Sequence, residues 1–338
     1  MQAAVFKGPG QRLVVEDVPE PNPEPTDLVL RVGCCGICGS DLHVADAAMG
    51  LPPGCVMGHE FSGEVVEVGP DAVGDFAVGD RVTAMPCIGC GGCAACLTGD
   101  IMHCESLQGT GLGAIPGAYA EYVRVGSQET MRLPDSLDFR IGALVEPLAV
   151  GLNAVNAAHL TRGESVLVIG AGPVGLAVTL WARFFGVRSV VVSELSEARR
   201  EMAAKLGATS VVDGGSDVAS AFADHAGGPP DVVFECVGLP GMLMQCGTLA
   251  GSRSRVIVAG VCMESDTIFP MAGILKELSF HFVLGYHQRD WRLTLDMLEA
   301  GRVDASAMVT DVVDLAGLPS AFEALKQPTT QSKVLVEP

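Results

Sequence analysis

Between Ser165 and Gly186 the chain reads SVLVI, then Gly170-Ala171-Gly172-Pro173-Val174-Gly175, then LAVTLWARFFG. A G-x-G-x-x-G turn set between a short β-branched run and a longer apolar run restricts the fold more than any other feature here. The first glycine suits a tight turn, the second lets backbone approach a pyrophosphate, and the third allows close helix–strand packing, with the anion on the helix N-terminus. SVVVSE (189–194) then reads as a second strand and EARREMAAKLGA as a second helix, with further strands at DVVFECVG (231–238) and RVIVAG (255–260). Strand–helix alternation with β-branched strands predicts a parallel sheet covered on both faces. Glu194 ends the second strand 19 residues after Gly175, where a carboxylate can accept hydrogen bonds from the adenosine ribose of NAD and repel the 2′-phosphate of NADP. Residues Gly170, Gly172, Pro173, Val174, Gly175 and Glu194 are therefore the dinucleotide candidates, and NAD is expected over NADP. Arg199 and Arg200 open the next helix within reach of such a phosphate, or are ordinary solvated charges.

The flanks have a different texture. Residues 1 to about 130 carry short alternating runs, LVLRV, GEVVEVG and RVTAM, separated by Gly/Pro turns with little helical periodicity, which suits a small β-rich, barrel-like domain. Two domains fit 338 residues. Ser165–Ala182 runs about 18 residues without a charge, but its glycines and proline favour a buried strand and helix over a membrane span. Twelve cysteines behind a start, MQAAVFKGPGQRL, that lacks a secretory pattern point to thiols and metal ligands in the cytoplasm. A formal charge of −19 repels a phosphate backbone over most of the surface, so nucleic acid is excluded as a partner.

Cys90, Cys93, Cys96 and Cys104 follow C-x₂-C-x₂-C-x₇-C spacing in a loop whose Gly89, Gly91, Gly92 and Gly99 allow tight wrapping. Four thiolates around one Zn²⁺ at about 2.3 Å make a closed, structural site. Cys87 extends the even spacing, but four ligands so close together leave little chain to reach around a metal, so it is left out. A second, dispersed set is Cys38 in GICGSDLH, His59 in GHEFSG and Glu146 in LVEPLAVG. A thiol, an imidazole and a carboxylate can hold zinc while leaving one position open for substrate.

GICGSDLH, GHEFSGEVVEVG, the four-cysteine loop, EPLAVGLNAV, GAGPVG and the C-terminal KVLV occur together in one order. With them, nearly the whole chain resembles the zinc-dependent medium-chain alcohol dehydrogenases, in the polyol, butanediol and threonine dehydrogenase branch. The resemblance implies an α/β protein with a GroES-like β-rich catalytic domain over residues 1–150 and 286–338, including the zinc loop 87–104, and a Rossmann doubly wound coenzyme domain over 151–285. It implies two zinc ions per chain and NAD. Cys38 and His59 would ligate the catalytic zinc, with Glu146 as third ligand or water holder, Glu60 as an exchanging group and Asp41 orienting His59. Such a metal makes an alcohol oxygen more acidic while the nicotinamide accepts hydride. Ser40 would meet the substrate oxygen, and His43 would release the proton to water. The substrate expected is a secondary alcohol or its ketone, with a polyol, vicinal diol or amino alcohol as the alternative, and Met49 and Leu51 give the 43–59 segment an apolar lining. A homodimer or homotetramer is implied, with the stretch from RVIVAG to Tyr286 as contact region.

Other classes fit less well. Tyr119, Tyr122 and Tyr286 lack a lysine four residues on, which excludes the short-chain dehydrogenase pair. Zinc-free quinone reductases lack these ligands. A non-catalytic zinc- and NAD-binding protein would leave Ser40 and His43 without purpose.

Overall fold

The protein is described by a computed structural model that gives residues 1–46, 51–327 and 330–338. The chain forms two compact units. One comprises Met1–Glu146, Tyr286–Arg302 and Val309–Pro338; the other comprises Pro147–Gly285 and Val303–Met308.

The first unit is built on short strands. A hairpin of β1 (Gln2–Val5) and β2 (Val14–Asp17) precedes the long β3 (Asp27–Gly36). Helix α1 (Gly39–Asp46) leads to β4 (Glu60–Val68) and β5 (Arg81–Ala84). A lobe of β6 (Cys87–Ile88), α2 (Ala94–Leu97) and β7 (Gln108–Gly109) carries the cysteine loop, followed by β8 (Tyr122–Gly126), β9 (Thr130–Arg132) and α3 (Phe139–Ala143); the next helix, α4 (Val145–Ala157), starts in this unit and continues as the first element of the second. Leu28, Leu30, Phe61, Val65 and Val123 alternate inward and share one core with Phe322 and Val334. Each such side chain contributes about 1.5–3 kcal/mol by leaving water.

The second unit is strand–helix alternation, as its sequence pattern requires: β10 (Ser165–Ile169), α5 (Pro173–Phe184), β11 (Ser189–Glu194), α6 (Glu197–Lys205), β12 (Ser210–Asp213), α7 (Val218–Ala226), β13 (Val232–Glu235), α8 (Met242–Leu249), β14 (Arg255–Val258), α9 (Pro270–Lys276) and β15 (Ser279–Phe282). All the pairings are parallel in the order β12-β11-β10-β13-β14-β15, which is the doubly wound Rossmann arrangement. Every residue of β10 is buried, and Pro173 starts α5 inside the glycine motif, where its missing N–H has no helical partner to lose. Among the described residues no helix is long and apolar enough to cross a membrane; the uncharged stretch divides into β10 and most of α5.

The chain then returns to the first unit through α10 (Gln288–Glu299), β16 (Val309–Asp314), α11 (Leu318–Leu325) and β17 (Lys333–Glu337). In the resulting sheet, β3 is the axis: Gly36 pairs with Glu60 of β4 on one side and Leu335 of β17 on the other. Two register shifts along the β3–β4 ladder bend this end.

Candidate active site

The chain turns out of β3 at Gly36, and Cys38 lies in the turn just before α1. Helix α1 was not legible as a helix because its buried face is Asp41, Val44 and Ala45, so an acid occupies what the i, i+3, i+4 pattern reserves for apolar residues. That acid is the organiser. Asp41, 1% exposed, accepts from the Cys38 backbone N–H at 3.3 Å and the Tyr119 hydroxyl at 2.6 Å, and its other oxygen lies 3.1 Å from His59 Nδ1. Burial alone would raise the Asp41 carboxyl, but His59 and then Tyr119 outweigh it and hold the carboxyl below its ordinary value. For His59, burial acts to lower the pKa, yet the charges of Asp41 and Cys38 carry it well above the usual histidine value. A carboxylate at Nδ1 is the partner that, with a cation at Nε2, would hold the ring as the Nδ1–H tautomer.

Cys38, His59 and Glu60 bring one ligand atom each within 4.8 Å of one another. The sequence reading put Glu146 in the ligand set and Glu60 behind it; the geometry groups Glu60 with the other two and leaves Glu146 outside that group, still buried. Each carboxylate has its own partner. Lys333, with 0% exposure, donates to Glu60 at 2.5 and 2.6 Å and to the Ile37 carbonyl at 3.0 Å. The Glu60 carboxylate needs the space a side chain on Gly36 would take, since a Cβ there would lie 2.1 Å from Glu60 Oε2. Glu146 is pushed up to about 7, first by burial and also by the charge of Glu60, against the pull of His59, Lys333 and the Tyr286 hydroxyl bonded to it. A thiol, an imidazole and a carboxylate in a buried pocket with surplus negative charge fit a divalent cation.

Ser40 Oγ lies 3.2 Å from Cys38 Sγ and 3.4 Å from His59 Nε2, so its hydroxyl borders the ligand cluster. His43 is three residues further along α1 and exposed. Leu51 is half-buried beside the first unit's core, whereas Met49 lies outside the described residues.

Cys90, Cys93, Cys96 and Cys104 form the second four-ligand group, and Cys87 is not in it. Cys93 and Cys96 sulfurs are 3.5 Å apart, and the Cys90 and Ser106 backbone N–H groups point at Cys104 Sγ at 3.3 and 3.4 Å. Backbone N–H of Cys96 brings the Cys93 thiol down to about 6, while burial and Cys93 push Cys96 up to about 12. Four sulfurs gathered this closely, with backbone N–H groups turned toward them, fit a tetrathiolate cage for one cation. Buried Glu129 braces the loop by accepting from Gly89 N–H at 3.0 Å.

In the second unit, Gly170 adopts φ +92°, and a Cβ on Gly175 would lie 1.9 Å from the Gly170 carbonyl, so the motif's outer glycines serve the turn and the packing. A Cβ on Gly172 would meet nothing within 4 Å; that side is open. It faces a cavity of about 400 Å³ lined by Gly170, Gly172, Glu194, Arg199, Val237 and Gln245. Glu194 is fixed there by accepting from Ala171 N–H at 2.8 Å and Ser196 N–H at 2.9 Å. Pro173 and Val174 form the first turn of α5. Arg200 turns away, donating to the carbonyls of Glu194 and Leu195.

Two family descriptions match the chain: "Alcohol dehydrogenase GroES-like domain" over residues 24–135 and "Zinc-binding dehydrogenase" over residues 173–300. The (R,R)-butanediol dehydrogenase of Bacillus subtilis (strain 168) is 35% identical, covering 96% of each chain. The chain belongs to the zinc-dependent medium-chain alcohol dehydrogenases. The sorbitol dehydrogenase of the same organism is 29% identical over 100% of this chain and 97% of its own. Among solved structures, a Sinorhizobium meliloti 1021 protein described as a zinc-binding dehydrogenase and bound to NADP superposes with a TM-score of 0.90 at 32% identity, covering 100% of this chain and 99% of that one. This dehydrogenase is accordingly an oxidoreductase of CH–OH donors that uses zinc and a nicotinamide cofactor. Sequence reasoning missed four supports in it: Lys333, Tyr119, Tyr286 and Glu129. KVLV was noticed only as a motif, and nothing in a strand-leading lysine signals that it is wholly buried against a carboxylate.

Proposed function

We propose that this dehydrogenase interconverts a secondary alcohol and its ketone with NAD at a catalytic zinc held by Cys38, His59 and a carboxylate, while a structural zinc is held by Cys90, Cys93, Cys96 and Cys104. The observation that carries the reading is the buried Cys38–His59–Glu60 cluster with Ser40 on its border. Bound there, zinc would act as a Lewis acid toward the alcohol oxygen, and NAD would take up the hydride. The chain's own groups do the rest. Asp41 holds His59 in the Nδ1–H tautomer. Ser40 Oγ accepts the alcohol proton while giving up its own, and exposed His43 on the same helix releases that proton to water. Glu60 is the third ligand the geometry favours; Glu146, with its proton affinity near neutrality, is the group that exchanges with it.

NAD is favoured over NADP because Glu194 faces the cavity with its carboxylate locked by two backbone N–H groups, and because Arg200 is committed to carbonyls. Arg199 lines the same cavity and leaves some capacity for a phosphate. Likeness to enzymes named for butanediol and sorbitol favours a vicinal diol or polyol within the secondary alcohols. A homodimer or homotetramer is supported by the edge position of β15 and by exposed Phe269, Ile274, Leu275, Phe282 and Leu284 in that part of the second unit. Reduced thiols as metal ligands suit the cytoplasm.

The test is reduced-nicotinamide formation from NAD and from NADP over primary, secondary, cyclic and vicinal-diol alcohols, with zinc-replete protein. Turnover on secondary alcohols with NAD, lost in Cys38→Ala and reduced 10²–10⁴-fold in Ser40→Ala with zinc content intact, is expected. Silence on all secondary alcohols, or full turnover in Cys38→Ala, refutes it.

A further inference from the structure

We infer that Tyr119 is a positioning residue of the catalytic centre, fixing His59 from two directions: through the Asp41 carboxylate and through the backbone just before His59. The inference rests on the reading of Cys38 and His59 as metal ligands.

Two sets of contacts carry it. The Tyr119 hydroxyl donates to Asp41 Oδ2 at 2.6 Å, and Asp41 Oδ1 meets His59 Nδ1 at 3.1 Å, so phenol, carboxylate and imidazole form one chain of hydrogen bonds. Tyr119 and Asp41 are 0% and 1% exposed, which leaves the carboxylate no bulk water to replace a lost donor. Without the hydroxyl, Oδ2 keeps only the longer 3.3 Å bond from Cys38 N–H. Held at Oδ2 by that one longer bond, the carboxylate can swing further about its last torsion, and the imidazole with it.

The second direction is the ring and its backbone. Tyr119 N–H donates to the Met57 carbonyl at 2.9 Å and Ala118 N–H to the Gly58 carbonyl at 2.8 Å, which ties the segment 118–119 to the two residues preceding His59. Gly58 has φ +96°, and a Cβ there would lie 2.6 Å from Tyr119 Cδ1. The ring is seated from the far side by Phe322, with centroids 6.4 Å apart at 82°. Phenylalanine would keep this packing and lose only the hydroxyl, so Tyr119→Phe separates the two contributions.

The experiment measures zinc transfer from zinc-replete full-length protein to a chromophoric chelator, with Cys38→Ala assigning the catalytic equivalent and the four-cysteine zinc as internal control. Tyr119→Phe is expected to weaken the catalytic equivalent about 10-fold and leave the other unchanged, and to shift the visible d–d bands of the cobalt(II)-substituted catalytic site. Asp41→Asn should weaken the same equivalent, and adding Tyr119→Phe to it should cost little more, because the hydroxyl acts through that carboxylate. Parental affinity in Tyr119→Phe, equal weakening of both equivalents, or full additivity with Asp41→Asn overturns the inference. A parent chain that holds one zinc only, unaffected by Cys38→Ala, instead refutes the catalytic centre itself, and the inference falls with it.

Discussion

Replacing Lys333 by methionine should destabilise the first unit more than any other single surface-neutral change in the return segment. Lys333 is fully buried, its ammonium lies 2.5 and 2.6 Å from the two oxygens of Glu60, and its third donor goes to the Ile37 carbonyl. Methionine fills the same volume but strands the Glu60 carboxylate, itself 1% exposed, against the apolar end of β3. Removing one member of a buried pair costs about 3–5 kcal/mol, because the survivor keeps its desolvation penalty without compensation. With a urea slope of about 3 kcal/mol/M for a unit of this size, the midpoint should fall by about 1 to 1.7 M. The two tryptophans make this readable: Trp181 lies in the second unit and Trp291 in the first, so a Trp181→Phe background leaves Trp291 fluorescence as reporter of the first alone. The measurement is made zinc-replete and again after chelation, and the loss should be larger without metal, since a cation beside Cys38 and His59 offers Glu60 a substitute partner. Glu60→Gln added to Lys333→Met should restore at least about 2 kcal/mol, the sign of a coupled pair. Burial acts to lower the Lys333 pKa but the Glu60 charge raises it above the ordinary lysine value. The contribution of the ammonium is therefore complete below about pH 10 and lost only as pH rises through the folded value. A loss under about 1 kcal/mol without metal, or additive single losses, would refute the reasoning.

Three further outcomes follow from the same contacts. Cys93→Ser should remove one zinc equivalent and lower the thermal midpoint of the first unit while Cys38-dependent zinc stays bound; atomic absorption with and without Cys38→Ala reads both, and loss of both metals would show that the two sites are not independent. Glu194→Ala should raise KM for NAD and shift the NADP-to-NAD ratio of kcat/KM upward by about tenfold, the effect of one removed charged hydrogen-bonding partner and its repulsion; an unchanged ratio would take Glu194 out of cofactor choice. Glu146, held near 7, binds its proton more tightly folded than unfolded, so in metal-free protein its contribution to stability falls as pH rises from about 4.5 to 7, by roughly 3 kcal/mol. Urea midpoints across that window should lose this slope in Glu146→Gln, and an identical slope in the variant would sink the assignment.

The coenzyme-type sheet was legible because each strand is a short β-branched run bounded by glycine, and SVVVSE coincides with β11 residue for residue. Its quieter elements were not: β12 is four residues with one buried, and α7 is a nine-residue helix whose buried face is only Val218, Phe222 and Ala226 among alanines that could face either way. In the first unit the cysteine spacing exposed the four-ligand group directly, since its members lie within fifteen residues and a turn-rich loop can only fold them inward. The dispersed cluster needed sheet register. Glu60 meets Gly36, and Lys333 approaches from a strand almost three hundred residues away, through pairings that no local pattern encodes. Hence Glu146 stands out in its EPL motif, whereas the claim of Glu60 depends on where β17 lands.

The three buried acids around His59 divide their tasks by what faces them. Asp41 receives two neutral donors and the imidazole and stays an anion that orients. Glu60 receives an ammonium, which compensates one charge on the ligand side of the pocket. Glu146 has the charges of His59 and Lys333 and the Tyr286 hydroxyl drawing it down, but burial and Glu60 outweigh them, and so it holds its proton near neutrality. Asp41 and Glu60 face one ammonium, Lys333, and ligation of a metal by Cys38 and His59 would take the thiol as thiolate and the imidazole as neutral, which would leave two negative charges for a divalent cation to compensate. A divalent cation brings that sum to zero with Glu146 protonated. If Glu146 ionises, the excess falls on the one carboxylate able to leave its weak partner for the metal. On the reading proposed above, the pocket would be balanced for a 2+ ion and Glu146 would be the group free to shift by one charge, whereas Glu60 would have to break its bond to Lys333 to move.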